Sequence, residues 1–424
     1  MSDLREWIMQ QPIFDSHEHQ SENGWEWDTL DHTAFWGYLG QDLGAATLPN
    51  SEAMSDAQKW DAASTTGYGQ AVDLGCRALL DMPYDIRQAE AITDALQAWL
   101  RERRGTDIHR HIFKEQIGCT AVIADVNDDL LTPPETLTHP HVPDYVHFAL
   151  RLGRRGWFAD GDRAEAQELE KRLNTSLQTL DEMESAIGRY LDQIHATGKL
   201  SSLKIGIAYV RPLDVQGRVE RAEASRCYDA FLRGKNPNLR PLHDHLIHIQ
   251  LRWAEAHKLP VQIHTGYLAG LNKDIRFGDP SVLIPLILNY PNVTFDLFHS
   301  SWPWTGIAAA IAKQCPNVCL DLCWAWALSP QETERTLDDW LGSVPHNKII
   351  GFGGDCWTPF ASIGYAEQAR TGIANCLEKK IQRGEYSQQT AEAVAQGLLS
   401  ENGHRIFNIQ KTDVIKLVTK STEK

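Results

Sequence analysis

No run of 18 uninterrupted apolar residues occurs in the 424-residue chain, so no segment reads as a membrane span. The opening MSDLREWIMQQPIFD has neither a basic start nor an apolar stretch of signal-peptide length. Export is therefore not expected, and a cytoplasmic location is. Positive charge is scarce: 41 Lys and Arg stand against 56 Asp and Glu, a net charge of −15, with no basic stripe. That argues against nucleic acid as a partner. It leaves anionic small molecules open, because a local Arg, Lys or metal sets the field of a site. The eight cysteines are scattered, and the densest group, CPNVCLDLC over 315–323, reads as a loop and a strand, not a zinc knuckle. They are read as structural thiols in a reducing compartment. Internal repeats and low-complexity stretches are absent. No glycine-rich phosphate turn follows the first strand candidate, which disfavours a doubly wound open sheet.

What is present is a regular alternation. Eight short apolar runs are bounded by turn or cap residues: 12–17, 118–126, 145–153, 200–210, 259–266, 292–300, 317–325 and 347–355. Amphipathic helical segments at 239–258, 280–290, 303–314 and 330–343 separate the later runs. Strand alternating with helix predicts parallel β/α architecture, and eight units predict an α/β fold of the closed (β/α)8 TIM-barrel type in a single domain, 1–424. Residues 20–110, tryptophan-rich and helical in pattern, read as an insertion at the barrel mouth after the first strand. The stretch 25–36 within it is expected to pack the core of that insertion. Residues 365–412 read as a C-terminal helical layer, with a frayed tail beyond.

Catalytic groups in such barrels gather at the C-terminal ends of strands. The first strand ends in His17-Glu18-His19. Side chains two apart share a face, so with Phe14 and Ser16 turned to the helices, Asp15, His17 and His19 face the axis. Two inward imidazoles can ligate one divalent ion. The fifth strand ends with His264 inside. The sixth ends at His299, whose parity is ambiguous because Phe295 and Leu297 share its face. The eighth ends in GFGGD, where glycines before Asp355 suggest close backbone approach. Asp355 could ligate a metal, hold a proton, or cap the next helix. Lys204 faces inward on the fourth strand, several residues short of its end. It reads as a carbamylated metal bridge, a cation for a substrate carboxylate, or a partner of Asp296 or Asp321. Tyr209, Arg211, Trp302 and Trp324 follow their strands and are expected at the mouth, and Arg211 or Arg276 would suit a carboxylate or phosphate substrate there. His243, His245 and His248 lie in a helical segment and read as a solvated face, not a second metal site. Histidines and an aspartate closing strands one, five, six and eight together point to a metal site.

Those motifs resemble the amidohydrolase superfamily. VQIHTG, FDLFHSSWP and GFGGDCWTP look like its amidohydrolase-related branch, which includes hydrolases and non-oxidative decarboxylases, and the long helical insertion is similar to that of uronate isomerases. The resemblance implies His17, His19 and Asp355 as metal ligands, and His264 as a ligand or near-metal substrate contact. It implies His299 as an acid or an orienting group. Lys204 matches the strand that carries the bridging lysine of binuclear members, but its depth favours one ion, Zn²⁺ first, with Lys204 nearby. A second ion would require a carbamylated Lys204. Asp355 would accept a proton from a metal-bound water and deliver it to the leaving group. The implied activity is hydrolysis of an amide, lactone or related bond in a small, carboxylate-bearing molecule by an enzyme read as a homo-oligomer. A sugar-acid isomerase or a decarboxylase is the alternative on the same ion. Outside that class stand a non-catalytic binding barrel and a barrel oxidoreductase. The latter would want amides and cations where GGDCWTP offers an acid.

Overall fold

The computed structural model describes residues 3–19, 29–126, 131–151, 163–235 and 237–411. The part of the expected insertion at 20–28, which holds Trp25 and Trp27, lies outside the described residues. Eight strands form one parallel sheet in sequential order: β1 Ile13–Glu18, β2 Cys119–Asp125, β3 Val146–Arg151, β4 Leu200–Ile205, β5 Val261–Ile263, β6 Phe295–Leu297, β7 Val318–Asp321 and β8 Ile349–Ile350. The glycine-rich segment after β8 brings the ring round to β1. The Ser16 N–H donates to the Phe352 carbonyl (3.2 Å), and the Asp355 N–H donates to that of His17 (2.7 Å). The strands are buried on both faces, as the near-continuous apolar runs require when helices cover the outside.

All eight expected runs contain a strand, but the fourth to the eighth each stop at least three residues early, and two of these stops shape the site. The fourth, read over 200–210, stops at Ile205, and residues Ile207–Tyr209 form a 3₁₀ turn. The sixth, read over 292–300, stops at Leu297.

Phe14 and Ser16 do not face the helices. Phe14 clusters with Ala121, Ile123, Ala149 and Ile350, which line the barrel axis at its lower end, where Phe407 closes it. Asp15 lies on the outer face instead. The reason is a bulge: Asp15 pairs with Val122 and Glu18 with Ala124, so three steps on β1 match two on β2. The extra residue reverses the parity, and His17 reaches the axis because of it.

Helix α1 (Asp3–Met9) precedes the barrel. Between β1 and β2 lie α2 (Leu39–Ala45), α3 (Asp56–Ala63), α4 (Gly67–Leu80) and α5 (Ala89–Glu102). Ser55 and Gln58 form a capping box on α3, and Asp81 ends α4 in the left-handed region. Around the barrel follow α6 (Leu180–His195), α7 (Arg240–His257), α8 (Ile284–Asn289), α9 (Thr305–Gln314) and α10 (Pro330–Ser343). The last helices are α11 (Pro359–Gln382), α12 (Gln388–Gln396) and α13 (Asn402–Ile406), so the C-terminal layer begins six residues before the expected 365. The insertion packs on α11: a Cβ at Gly364 would lie 1.9 Å from the Ala71 carbonyl oxygen of α4. Phe360 of α11 meets the rings of Phe35 and Trp99. One hydrophobic cluster runs from the insertion through the outer barrel to the last helices. Among the described residues, no helix is long and apolar enough to cross a membrane.

Candidate metal centre at the barrel mouth

The bulge in β1 brings His17 and His19 to the same opening as Asp355. His19 Nε2 lies 2.8 Å from Asp355 Oδ1, and His17 Nε2 lies 3.6 Å from the same oxygen. One ligand atom from each of the three lies within 4.8 Å of the others. Burial, and next the charge of Lys204, hold the His17 imidazole well below its ordinary pKa, so its lone pair is free to bind a cation. Two imidazoles and a carboxylate are a donor set for a divalent ion such as Zn²⁺, so the residues fit one.

Asp355 is positioned by its backbone. It adopts φ 55°, a region that costs a non-glycine residue of order 1–3 kcal/mol and marks functional sites. It does not cap the following helix, whose N-cap is Thr358. The two preceding glycines are required by packing. A Cβ at Gly354 would stand 2.0 Å from Glu18 Oε1, and one at Gly353 would stand 2.5 Å from Ser16 Oγ. Glu18 points away from the cluster, as its place between the two histidines predicts. It accepts hydrogen bonds from the Cys356 N–H (2.8 Å) and the Ser362 hydroxyl (2.6 Å), fastening β1 to the segment after β8. Burial pushes both Glu18 and its outer-face neighbour Asp15 up.

His299 reaches the interior because β6 ends before it and the chain turns through three successive left-handed residues, His299, Ser300 and Ser301. It is wholly buried behind His264. The contacts form a line: Cys323 carbonyl to His299 Nδ1 (3.1 Å), His299 Nε2 to His264 Nδ1 (3.0 Å), His264 Nε2 to the Tyr267 carbonyl (2.9 Å). A carbonyl only accepts, so each outer nitrogen donates. Two neutral rings then leave both inner nitrogens bare and facing one another, which calls for a cation beside them. His264 lines the mouth but is committed to this line; it stands outside the His17–His19–Asp355 group.

Lys204 stands at the mouth, one residue from the end of β4, and not several residues below it. Its Nζ lies over the Phe298 ring, 3.5 Å from the centroid, and has no hydrogen-bond partner among the described residues. Neither Asp296 nor Asp321 is within ion-pair distance of it. Burial pushes the amine down to about 8, opposed by Asp125 and Asp355. Arg151 at the end of β3 pairs with buried Asp125 at the end of β2, and Asp125 Oδ2 lies 3.7 Å from His17 Nε2.

These groups surround a cavity of about 200 Å³, lined by His17, His19, Lys204, His264 and Asp355 together with Tyr38, Arg151, Tyr209 and Trp357. Trp357 stacks on His19 at 4.3 Å and is exposed on its other face. Of Tyr209, Arg211, Arg276, Trp302 and Trp324, the side chains expected at the mouth, only Tyr209 lines the cavity. Its hydroxyl accepts from the Ala269 N–H (3.3 Å), and its ring lies 4.7 Å from His264. Arg211 is drawn aside by Asp244 of α7, Arg276 is exposed beside Asp274 (2.6 Å), and Trp302 packs on Tyr267. Arg151 and Asp125 end their strands as the other site residues do, so the strand-end rule reaches them. Tyr38 and Trp357 carried no such signal. The α7 histidines are not a solvated face. His245 is bonded to Glu184 (2.7 Å) and His248 to Tyr290 (2.7 Å), both buried.

Residues 205–409 match the amidohydrolase family. The protein fluG of Emericella nidulans is 28% identical over 219 residues, covering 48% of this chain and 25% of fluG, so the matched region is about a quarter of that protein. In fold, the chain is similar to the uronate isomerase of Thermotoga maritima, with a TM-score of 0.75 at 14% identity over 95% of this chain and 96% of that one. It is also similar to the glucuronate isomerase of Caulobacter crescentus, with a TM-score of 0.72 at 16% identity over 98% and 95%.

Proposed function

From the match of residues 205–409 to the amidohydrolase family, we propose that the chain is a metal-dependent hydrolase of the amidohydrolase superfamily acting on a small, carboxylate-bearing molecule. The observation that carries the reading is the convergence of His17, His19 and Asp355 on a cavity that is also lined by Lys204, buried and without a hydrogen-bond partner among the described residues. His17, His19 and Asp355 would hold the ion, Zn²⁺ first, with His264 beside it. When bound, such an ion lowers the pKa of a water from about 15.7 to near 7 and polarises a carbonyl. Asp355 accepts the proton of the attacking water and returns it to the leaving nitrogen or oxygen, its two oxygens facing His19 and His299. Lys204 binds the substrate carboxylate, and Arg151, held by Asp125, adds positive field to the same cavity. Tyr209 and His264 orient the scissile group, while Tyr38 of the insertion and Trp357 limit the entry of bulk water.

A second reading is an isomerase of a uronate-type sugar acid, which the same ion and cations would serve. The whole-chain likeness in fold to uronate isomerases recommends it. The purified chain, loaded with zinc or manganese, is to be assayed against lactones, amides and esters of small carboxylic acids and against hexuronates. Hydrolysis that a chelator and His19→Ala both abolish is expected. Turnover of hexuronates alone would replace the first reading with the second. Elemental analysis finding no ion after supplementation would sink both.

A further inference from the structure

We propose that Cys323 is the sulfur ligand of a second cation position, formed with His299 and joined to the first through Asp355. One ligand atom of each residue lies within 4.8 Å of the others, and all three residues are buried. His299 Nε2 is 3.9 Å from Asp355 Oδ2, while Asp355 Oδ1 is turned to His19. One carboxylate thus presents an oxygen to each position. Tetrahedral bonds of about 2.0–2.3 Å place ligand atoms roughly 3.3–3.8 Å apart, so only a small contraction closes the second group around an ion.

Cys323 acts on this group twice. Its carbonyl accepts from His299 Nδ1, which turns the Nε2 lone pair inward, and its Sγ completes the set. Across from it stands Gly353, where a Cβ would lie 2.8 Å from Sγ; the missing side chain is what gives the sulfur its place. The line of contacts through His264 supplies an independent reason for a cation here, since the two bare inner nitrogens, 3.0 Å apart, face each other. The thiol proton passes to solvent as the metal–sulfur bond forms. A thiolate in the set favours Zn²⁺, Co²⁺ and Cd²⁺ over Mg²⁺, Mn²⁺ and Ca²⁺. Cys356, the other thiol nearby, instead donates to the Gly354 carbonyl (3.3 Å).

The inference rests on Asp355 being a metal ligand, and the experiment separates the two. The full chain, stripped with a chelator, is titrated with cobalt(II) chloride. Two equivalents are expected to bind, with a thiolate-to-cobalt charge-transfer band in the near ultraviolet. Cys323→Ser is expected to bind one equivalent without the band, and Cys356→Ser to keep it. In a His17→Ala/His19→Ala double variant, retention of the band with one equivalent would uphold the sulfur position by itself. A wild-type chain without the band, or a band that survives Cys323→Ser, overturns the proposal. Should Cys323→Ser not fold, cobalt X-ray absorption of the wild-type chain decides it: a sulfur scatterer at about 2.3 Å supports the position, and its absence overturns it.

Discussion

Lys204 concentrates the tension between stability and function in one side chain. The buried amine titrates at about 8, against 10.5 when free, because burial penalises its charge. Between those values the unfolded chain holds the extra proton, so stability rises with pH across that window. Below about 8 the charged amine costs up to about 3 kcal/mol. Lys204→Met is therefore expected to raise the melting temperature of the metal-free chain at pH 7 and to flatten its dependence on pH from about 8 to 10.5. The same change is expected to raise KM for a carboxylate substrate roughly tenfold or more, the worth of one charge-assisted hydrogen bond. Steady-state kinetics beside calorimetry would check both, and an unchanged KM would remove Lys204 from substrate binding. Arg151 behaves differently, since its partner Asp125 is wholly buried. Arg151→Met leaves that carboxylate unpaired and is expected to cost about 3–5 kcal/mol in denaturant unfolding, part of which Asp125→Asn should restore.

At the scale of elements, the site depends on where strands stop and how helices cross. The bulge in β1 decides which residues of IFDSHEH face the axis, and the early ends of β4 and β6 lift Lys204 to the mouth and turn His299 inward. The insertion is held over the mouth by the crossing of α4 and α11, backbone against backbone. A Cβ at Gly364 would meet the Ala71 carbonyl oxygen at 1.9 Å and the Gly75 nitrogen at 3.1 Å, with no flexible side chain to yield. Gly364→Ala is expected to cost about 3 kcal/mol, read as a lower urea midpoint. Because Tyr38 belongs to the same insertion, activity should fall as well. A neutral Gly364→Ala would mean the two helices separate more easily than their packing implies.

For the whole molecule, a bound ion stabilises the folded chain by mass action. At about 1,000 times its dissociation constant, the gain is about 4 kcal/mol. Chelation is expected to lower the melting temperature by several degrees, and His19→Ala to abolish that response. A melting temperature indifferent to zinc in the wild-type chain would count against the centre. The eight-stranded barrel and the four histidine and aspartate strand ends were legible in the sequence, because a buried parallel strand writes itself as a short apolar run and its end as a change of composition. Lys204's height was not legible, since an apolar run does not mark the residue at which pairing stops. Arg211 and Arg276 were the arginines expected at the mouth, but Arg151 is the one that lines the cavity. Which arginine faces the cavity depends on carboxylates distant in sequence: Asp244 takes Arg211, while Asp125 holds Arg151 beside the cavity. The sequence by itself determined the fold and the residue types of the candidate site, since local periodicity and residue chemistry carry both. Only the tertiary structure decided that a bulge orients His17, that Cys323 stands beside His299 and Asp355, and which cations line the cavity. Those outcomes rest on register and on contacts between residues tens of positions or more apart, which no local pattern encodes.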